Sequence, residues 1–400
     1  MPSSGSARPL AGVHVLDLTR LLPGAYATLL MADLGADVVK IEDPRGGDPA
    51  RTMPPIVGGA GVYFRLLNRN KRSVTLDLRS PDAASVLDAL VRRFDVVVES
   101  FRPKTSKRLG VDAATLRGRH PRLIYASISG FGQSGPYADR AAHDINYEAL
   151  SGMLSATRND GQAPDVPRTL IADIGAAMYA ASGILAALFQ RERTGEGATV
   201  DVAIHEAALS WLTFPAAQRL VGASPEGPRE LPIYGHDACY NIYLTRDDRY
   251  LALGALEPKF WTGFCERAGR ADLASLQDAH GDERARVLAE VRALMRTRTR
   301  DEWLALFADT DVCLTPVNTV EEALADPHLA TRGALTSDGA STYITTPIVM
   351  SRDADASTVS RAREMPVTPP PALGVHTDAE LDAAGIGQAR RADLRSRGII

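Results

Sequence analysis

The sequence predicts an α/β fold in which a large domain, built on an open and mostly parallel sheet, is joined to a smaller α+β domain. Strand-like and helix-like segments alternate through the first half of the chain, as in parallel sheets covered by helices on both faces. A Pro/Gly-rich connection follows, and beyond it ACYNIYL and RYLALGAL predict paired strands that precede three helices. We place the large domain at 1–220, the small domain at 221–328, and a C-terminal segment that returns to the large domain at 329–400.

Short apolar runs rich in Val and Ile predict the strands of the large domain. These strands are predicted at 12–19, 37–42, 72–78, 95–100, 123–129 and 199–204. An amphipathic helix ends at Gly35, and a second helix covers 83–91. The most apolar helix is predicted from Asp173 to Gln190, followed by two arginines and Gly195, which suit the C-terminal end of a helix.

Composition and charge narrow the class of protein. With 45% hydrophobic and 24% charged residues the chain is predicted to be globular, and a net charge of -4 gives no general field that attracts nucleic acid. Cys239, Cys265 and Cys313 form no CxxC pair, so neither a disulfide framework nor a zinc site is predicted. The N-terminus lacks a signal-peptide core, and no window has the roughly eighteen unbroken apolar residues of a membrane span. We therefore expect a soluble cytoplasmic protein without a metal.

A glycine-rich segment, SGFGQSG at 129–135, has GxGxxG spacing after a predicted strand. In a dinucleotide fingerprint the last glycine opens a helix, whereas Pro136 and Tyr137 follow here. No carboxylate is well placed on a succeeding strand to bind a ribose. We interpret the segment as a turn-rich loop and not as a nicotinamide or flavin site.

Three ionisable residues are candidates for chemistry, and each has a simpler alternative. Asp173 stands just before the apolar helix, where it is either an N-cap or a carboxylate held at the positive helix end. His143 lies at the start of a predicted helix, where a lone His is usually a surface or packed residue; its neighbour Asp144 points elsewhere on a helix. Glu257 follows a buried strand and is either an exposed loop charge or a site residue.

Two basic clusters, NRNKRS and FRPKTSKR, are candidates for phosphate binding. The first contains Lys71 and Arg72, and the second contains Phe101 and Arg108. Each stands beside a predicted strand end, where ligands of open α/β sheets usually bind. Solvated surface charge is the simpler alternative, and these residues alone leave both interpretations open.

Taken together, these segments resemble the class III coenzyme A transferase superfamily (CaiB/BaiF type), which includes the alpha-methylacyl-CoA racemases. The resemblance runs from about Leu10 to about Pro327. It rests on LAGVHVLDLTRLLPGAYATLLMADLGADVVKIEDP, NRNKRSVTLDL, SGFGQSGP, HDINYEALSG, ADIGAA, FQRERTGEGATVDVA, GALEPKFW and DVCLTPV. It implies an interlocked homodimer in which each subunit has a Rossmann-like large lobe and a small lobe, with CoA near the interface.

The resemblance implies an acyl-CoA substrate, which two branches of the superfamily use differently. In the racemases, a His matching His143 and an Asp matching Asp173 exchange protons at the alpha carbon, and a Glu matching Glu257 supports the His. In the transferases, the Asp matching Asp173 attacks the thioester and carries the acyl group as an anhydride. HDINY and GALEP look like the racemases, whereas NRNKRSVTLDL looks more like the transferases. A non-catalytic CoA-ester-binding protein is the third interpretation.

For the CoA moiety, the resemblance implies contacts from Lys71, Arg72, Phe101 and Arg108. Coenzyme A then enters as part of the thioester substrate, and we expect no permanently bound cofactor, no nucleic acid and no membrane as partners. The stretch GHDACY at 235–240 departs from the GGAPYY-like segment of the racemases, so the acyl group stays undefined.

For the chemistry, inversion at the alpha carbon needs a base on one face of the substrate and an acid on the other. Asp173 must be protonated in one half-reaction and ionised in the other, and burial would raise its pKa toward that need. We expect free backbone amides at the start of the helix after Asp173 to stabilise the enolate oxygen.

Overall fold

The computed structural model describes residues 8–157, 163–222, 232–350 and 367–400. The chain forms two compact units. Unit 1 comprises Met1–Gly222 and Ala330–Ile400, and unit 2 comprises Ala223–Leu329. The last part of the chain therefore belongs to the same unit as the first part.

A six-stranded sheet in which every pairing is parallel forms the centre of unit 1. Its strands are β1 (His14–Asp17), β2 (Asp37–Glu42), β5 (Lys71–Thr75), β6 (Val96–Glu99), β7 (Ile124–Ser129) and β8 (Thr199–Ala203), while β3 (Ile56–Val57) and β4 (Ala60–Gly61) form a separate short hairpin. The strand order is β5-β2-β1-β6-β7-β8, the doubly wound arrangement of Rossmann-type domains. The predicted α/β class with an open parallel sheet is confirmed.

Helices cover both faces of this sheet because alternate strand residues point to opposite sides. One face of the sheet contributes Val15 and Val96 to a core that includes Ala176, and the other contributes Leu16 and Val97 to a core that includes Leu381. The helices of unit 1 that precede unit 2 in the chain are α1 (Leu22–Asp33), α2 (Val62–Leu67), α3 (Ala83–Val91), α4 (Pro103–Leu109), α5 (Ala113–Arg119), α6 (Asp144–Ser151), α7 (Met153–Ala156), α8 (Ile171–Thr194), α9 (Ile204–Ser210) and α10 (Thr213–Leu220). The inner strands β1, β2, β6 and β7 are buried on both faces and are rich in apolar residues, which is why the sequence identifies them.

Helix α8 begins at Ile171, before the predicted start at Asp173, and ends at Gly195, whose φ of 78° suits a left-handed C-cap. By length and composition it is apolar enough to cross a membrane, although Asp173, Ser182 and two glycines interrupt its apolar run. Its small residues Ala172, Ala176 and Ala180 are fully buried in the core of unit 1. That burial is what a core helix of a folded domain requires.

The C-terminal segment packs on the edge of the central sheet through strand β5. The amide of His376 donates to the Ser73 carbonyl at 3.0 Å, and the amide of Thr75 donates to Thr377 Oγ1 at 2.9 Å. Unit 1 also contains β12 (Leu335–Ser337), β13 (Thr342–Ile344), α16 (Thr377–Ala383) and α17 (Gln388–Ser396).

Unit 2 is an α+β unit built on an antiparallel sheet of order β11-β10-β9. Its elements are β9 (Tyr240–Leu244), β10 (Tyr250–Gly254), α11 (Pro258–Arg267), α12 (Gly281–Met295), α13 (Arg300–Leu306), β11 (Leu314–Pro316) and α14 (Val320–Leu324); α15 (Pro327–Thr331) spans the boundary with unit 1. Trp261 and Trp303 are fully buried in its core, so Trp261 packs this unit and does not line a surface pocket.

Candidate active site

The N-terminal turns of α6 and α8 meet in unit 1 through a side-chain-to-backbone hydrogen bond. Oδ1 of Asp144, the first residue of α6, accepts from the backbone amide of Asp173 at 2.9 Å. Asp144 is buried and Asp173 is partly buried. Asp173 is therefore fixed at its backbone while its carboxylate stays partly accessible, which is what a reacting group requires.

The start of α8 explains why it needs this external support. The N-cap is Leu170, which has no side chain able to accept a hydrogen bond from the first-turn amides. Asp173 is the third helical residue, so the alternative that Asp173 itself is the N-cap is wrong. A carboxylate from α6 takes over part of the capping, because Asp144 accepts from the amide of Asp173.

Three carboxyl groups thus gather at the positive end of α8. Burial, followed by the negative charges of Asp144 and Glu148, raises the pKa of Asp173 from 3.8 to about 7. Burial, a hydrogen bond with Asp144 and the charge of Asp144 raise the pKa of Glu148 from 4.5 to about 7. Asp173 can therefore gain or lose a proton near neutral pH, as acid–base chemistry requires.

His143 immediately precedes Asp144 and is the N-cap of α6, with an extended backbone at φ -127° and ψ 173°. Its backbone amide donates to Asn146 Oδ1 at 3.0 Å, and its side chain is exposed. Asp144 accepts a hydrogen bond from the amide of Asp173, and His143 directly precedes Asp144 in the chain. The imidazole therefore belongs to the residue next to the one that fixes the backbone of Asp173. The prediction that Asp144 is no partner of His143 stands, because Asp144 acts on the backbone of Asp173 instead.

Glu257 belongs to unit 2, whereas His143 and Asp173 belong to unit 1. It is exposed and is the N-cap of α11, where Pro258 takes the first helical position. Its support of His143 stays a prediction.

The glycine-rich segment after β7 is a loop and opens no helix, which agrees with the interpretation against a dinucleotide fingerprint. Gly132 and Gly135 have φ of 79° and 94°, which only glycine adopts readily. At Gly130 an added Cβ would lie 2.4 Å from the hydroxyl of Tyr147 on α6. The absent side chain therefore lets α6 pack closely against the loop and sets the position of its N-terminal turn.

A cavity of about 190 Å³ lies at the carboxyl edge of the sheet. Leu18, which follows β1, and Phe101, which follows β6, both line it, so it sits where the strand order reverses. That crevice is where doubly wound sheets bind ligands. The predicted residues Phe101 and Arg108 both line the cavity, as does Arg20, whose guanidinium carbon is 6.0 Å from the centre of the Phe101 ring.

Two of the arginines in this cavity are free to bind an anion. Arg20 and Arg108 are exposed, and within the described residues no carboxylate lies within 4.0 Å of either guanidinium. Arg79 also lines the cavity but pairs with Asp43 and Asp77, both at 2.9 Å. Arg20 and Arg108 therefore fit a phosphate group at this edge.

Lys71 occupies a buried position that does not fit its predicted role as a CoA contact. Its ammonium group donates to Asp17 Oδ2 at 3.2 Å, to the Ala25 carbonyl at 2.9 Å, to Thr28 Oγ1 at 2.8 Å and to Asn68 Oδ1 at 3.0 Å. Burial lowers the pKa of Lys71 from 10.5 to about 8. With its side chain fully buried and its three protons in use, it stabilises the ends of β1 and α1 rather than a phosphate.

Arg72 is likewise engaged within the protein. Its Nε donates to Asp37 Oδ1 at 3.1 Å, and its two terminal nitrogens pair with Asp37 and with Glu380 on α16. The residue ties the C-terminal segment to the sheet, so this arrangement argues against the predicted contact with CoA.

The amides that follow Asp173 are also not the free donors that the sequence suggested. The amide of Ile174 donates to the Leu170 carbonyl at 3.0 Å, the first bond of the helix ladder. The expectation that amides after Asp173 hold an enolate oxygen is wrong for this reason.

Several site residues escaped the sequence analysis. Asp144 and Glu148 stand on one face of α6 because they are four residues apart, a spacing that was visible once the helix was assigned. Arg20 follows β1, and a cation just after a predicted strand indicates a position at the ligand-binding edge of the sheet. Among the described residues, no His, Cys, Asp and Glu side chains cluster in a metal-binding arrangement.

Comparisons with known proteins identify the family. The model of CoA-transferase family III matches residues 10–377. Alpha-methylacyl-CoA racemase from Homo sapiens is 34% identical over 405 residues, covering 98% of this chain and 97% of the relative. Succinate–glutarate CoA-transferase from Agrobacterium fabrum is 34% identical over 366 residues, covering 86% of this chain and 90% of the relative.

Solved structures agree with this assignment. A CAIB/BAIF family protein from Brucella suis superimposes with a TM-score of 0.80 at 31% identity, covering 94% of this chain and all of the other. The chain belongs to CoA-transferase family III and is an enzyme of that family, as its resemblance to the superfamily implied. Racemases and transferases are equally similar to it, so identity alone does not choose the reaction.

Proposed function

We propose that this protein is a racemase that inverts the alpha carbon of a 2-methylacyl-CoA thioester, with His143 and Asp173 as its two acid–base groups. The observation that carries the proposal is the hydrogen bond from the Asp173 amide to Asp144, because it joins the segment of His143 to the carboxylate. A raised pKa of about 7 suits Asp173 to both half-reactions.

In the proposed reaction the thioester carbonyl acidifies the alpha C–H. One of the two groups removes this proton while the other delivers a proton to the opposite face, and their roles exchange for the other enantiomer. Tyr147 lies in the field of Asp173 and Asp144, and burial together with these charges raises its pKa to about 12. Its hydroxyl therefore stays protonated at neutral pH and does not compete as a base.

The CoA part of the substrate is assigned to the cavity at the carboxyl edge of the sheet, with Arg20 and Arg108 toward phosphate and Phe101 beside them. Arg102 directly follows Phe101, and its charge also acts on Tyr147. This electrostatic link between the segment after β6 and α6 supports the use of the cavity and the carboxyl cluster by a single extended thioester.

A second candidate is CoA transfer between an acyl-CoA and a carboxylic acid through an anhydride on Asp173. The chain is 34% identical both to a racemase and to a transferase, so CoA transfer remains a candidate function. Transfer requires covalent capture by Asp173 and tolerates the loss of His143. A pKa of about 7 leaves part of Asp173 as the carboxylate that attacks a thioester, so its protonation state does not separate the two reactions.

One experiment separates the candidates: a panel of acyl-CoA esters in heavy water, with and without free carboxylic acids. Deuterium at the alpha carbon without CoA exchange is the expected result. CoA exchange without alpha deuterium, together with a mass shift of the Asp173 peptide and its trapping by hydroxylamine, would assign the transferase instead. If neither alpha exchange nor CoA exchange is detected with any ester of the panel, the result would support a non-catalytic CoA-ester-binding role.

A matched pair of histidine variants tests the role of the imidazole. His143→Gln is expected to lower the rate of inversion by about a hundredfold or more, the usual contribution of an acid–base group. His280 is also an exposed N-cap, with φ -125° and ψ 160°, so His280→Gln is the control and should leave the rate unchanged. Equal rates for the two variants would remove His143 from the mechanism.

We further propose that the active form is a homodimer. Unit 1 exposes large apolar side chains along α8 and the two helices that follow β8. Their exposed fractions are 67% for Phe189, 48% for Trp211, 64% for Phe214 and 75% for Leu220. Large exposed apolar side chains are costly in water, and a surface that carries several of them is typical of an interface. Sedimentation should give twice the mass of the chain for the wild type and a monomer for Phe214→Glu.

A further inference from the structure

We infer that Asp48 and Lys40 are positioning residues for Arg20: their buried contacts hold the backbone around Arg20 in a strained conformation that keeps its side chain at the cavity. This inference rests on the proposed function, in which Arg20 binds a phosphate of CoA. Asp48 and Lys40 would not touch the substrate, because their side chains are only 0% and 1% exposed and neither lines the cavity.

The strain lies at Leu21, the residue after Arg20. Its φ of 58° and ψ of -151° fall in a region that essentially only glycine enters, because a Cβ there meets the neighbouring backbone. The side chain of Leu21 is 39% exposed, so its burial does not account for this conformation. A strained backbone of this kind persists only where the surrounding contacts hold it, and such residues cluster at ligand sites.

Hydrogen bonds from two separate segments fix the amides of Arg20 and Leu21. The amide of Leu21 donates to Asp48 Oδ2 at 3.2 Å, and Asp48 follows β2. The amide of Arg20 donates to Ser100 Oγ at 3.2 Å, and Ser100 follows β6. The loop after β1 is therefore held from both neighbouring strands of the sheet.

Lys40, on β2, connects the two ends of this loop. Its ammonium group donates to the Thr19 carbonyl at 2.7 Å and pairs with Asp48 Oδ2 at 3.1 Å. The other oxygen of Asp48 accepts from the amide of Ala50 at 2.9 Å, which keeps the carboxylate from turning away. Because these groups are buried, their contacts are stronger than they would be in water. The residues before and after Arg20 are thus fixed by one buried ion pair.

The side chain of Arg20 contrasts with its fixed backbone. It is exposed and lines the cavity, and among the described residues no carboxylate lies within 4.0 Å of its guanidinium. A cation without a counterion on a fixed backbone is pre-organised for an anion, because binding then costs less conformational freedom.

Loss of the anchors should let the loop relax. The strain at a residue of this kind favours the relaxed form by about tenfold or more once nothing opposes it. If only the strained form places Arg20 at the phosphate, the apparent affinity for CoA falls by the same factor. The expected signature is a higher Kd for CoA and a higher KM for its esters, at nearly unchanged kcat.

The first test measures the Kd of coenzyme A itself by titration calorimetry with the full-length protein. Asp48→Ala should raise Kd about tenfold, and adding Leu21→Gly should return it to within about threefold of the wild type, because glycine adopts this conformation without strain. Asp248 also has a positive φ, 56°, between β9 and β10, so Asp248→Gly is the control and should restore nothing. Failure of Leu21→Gly to restore binding, or equal restoration by Asp248→Gly, would overturn the inference.

Ser100→Ala is a milder variant for the case that Asp48→Ala does not fold. It removes the acceptor of the Arg20 amide and leaves the buried pair of Lys40 and Asp48 intact. Kd should rise about threefold, the effect of one lost hydrogen bond. Ser85→Ala removes an exposed hydroxyl on α3 and should leave Kd unchanged. A wild-type Kd for Ser100→Ala would overturn the inference.

A double-variant cycle tests whether Asp48 acts through Arg20. Arg20→Met should raise Kd by about tenfold, and adding Asp48→Ala should raise it no further. Effects that multiply would overturn the inference while leaving CoA in the cavity. A wild-type Kd for Arg20→Met would instead remove the cavity from the proposed function, and the positioning role would be lost with it.

Discussion

Ionised Asp173 should destabilise the folded protein, because burial and the charges of Asp144 and Glu148 raise its pKa from 3.8 to about 7. Between these two values the folded state keeps a proton that the unfolded chain has lost, so stability falls as the pH rises through this window. A shift of about three pH units corresponds to about 4 kcal/mol at most. Since Asp173 is only partly buried, solvent screening should reduce the cost to about 1 to 3 kcal/mol.

Asp173→Asn removes this cost while keeping the shape of the side chain. The free energy of unfolding of the variant, relative to the wild type, should rise between about pH 4 and about pH 7 and stay constant above that range. Urea unfolding at intervals across this range measures the difference. Glu206→Gln, which changes an exposed carboxylate in the first turn of another helix, should show a constant difference. A difference for Asp173→Asn that does not vary with pH would refute the assigned environment of the carboxyl group.

Three further predictions concern the surroundings of the site. Lys71→Met should lower the free energy of unfolding by about 3 kcal/mol, because it leaves the buried carboxylate of Asp17 with fewer partners. Urea unfolding measures this change, and Lys107→Met, at an exposed position, should have little effect in the same experiment. Arg108→Met should raise KM for acyl-CoA by about tenfold with kcat nearly unchanged, the value expected for one lost phosphate contact; Lys107→Met is again the control. Gly130→Ala should lower both stability and inversion rate, by about 1 to 3 kcal/mol for stability, because its Cβ meets the tyrosine hydroxyl of α6. Gly118→Ala has open space around its Cβ and should be neutral or stabilising in thermal unfolding.

The central fold was readable from the sequence because parallel strands buried on both faces leave continuous apolar runs. The run DVVKIE became β2 (Asp37–Glu42) with the same bounds, and the helix predicted at 83–91 became α3 (Ala83–Val91). The start of α8 was misplaced because Asp173 has the residue type of an N-cap, whereas the caps of this helix come from α6. Capping by a distant segment leaves no local signal.

The candidate site was predicted in part, for a related reason. His143 and Asp173 were found through the resemblance, and Phe101 and Arg108 lie where their place after a strand suggested. Lys71 shows the limit of this reasoning: a lysine at a strand end looks the same in the sequence whether it faces a phosphate or a buried aspartate. Its burial depends on how β1, α1 and β5 pack together, which no local pattern encodes.

The most direct test of the account follows each enantiomer of a 2-methylacyl-CoA separately in heavy water. If an imidazole and a carboxylate serve opposite faces of the alpha carbon, His143→Gln should keep deuterium uptake from one enantiomer and lose it from the other. Asp173→Asn should give the reverse pattern, and neither variant should invert the centre. Loss of uptake from the same enantiomer in both variants, or uptake from both enantiomers in either, would contradict the assignment of one base to each face.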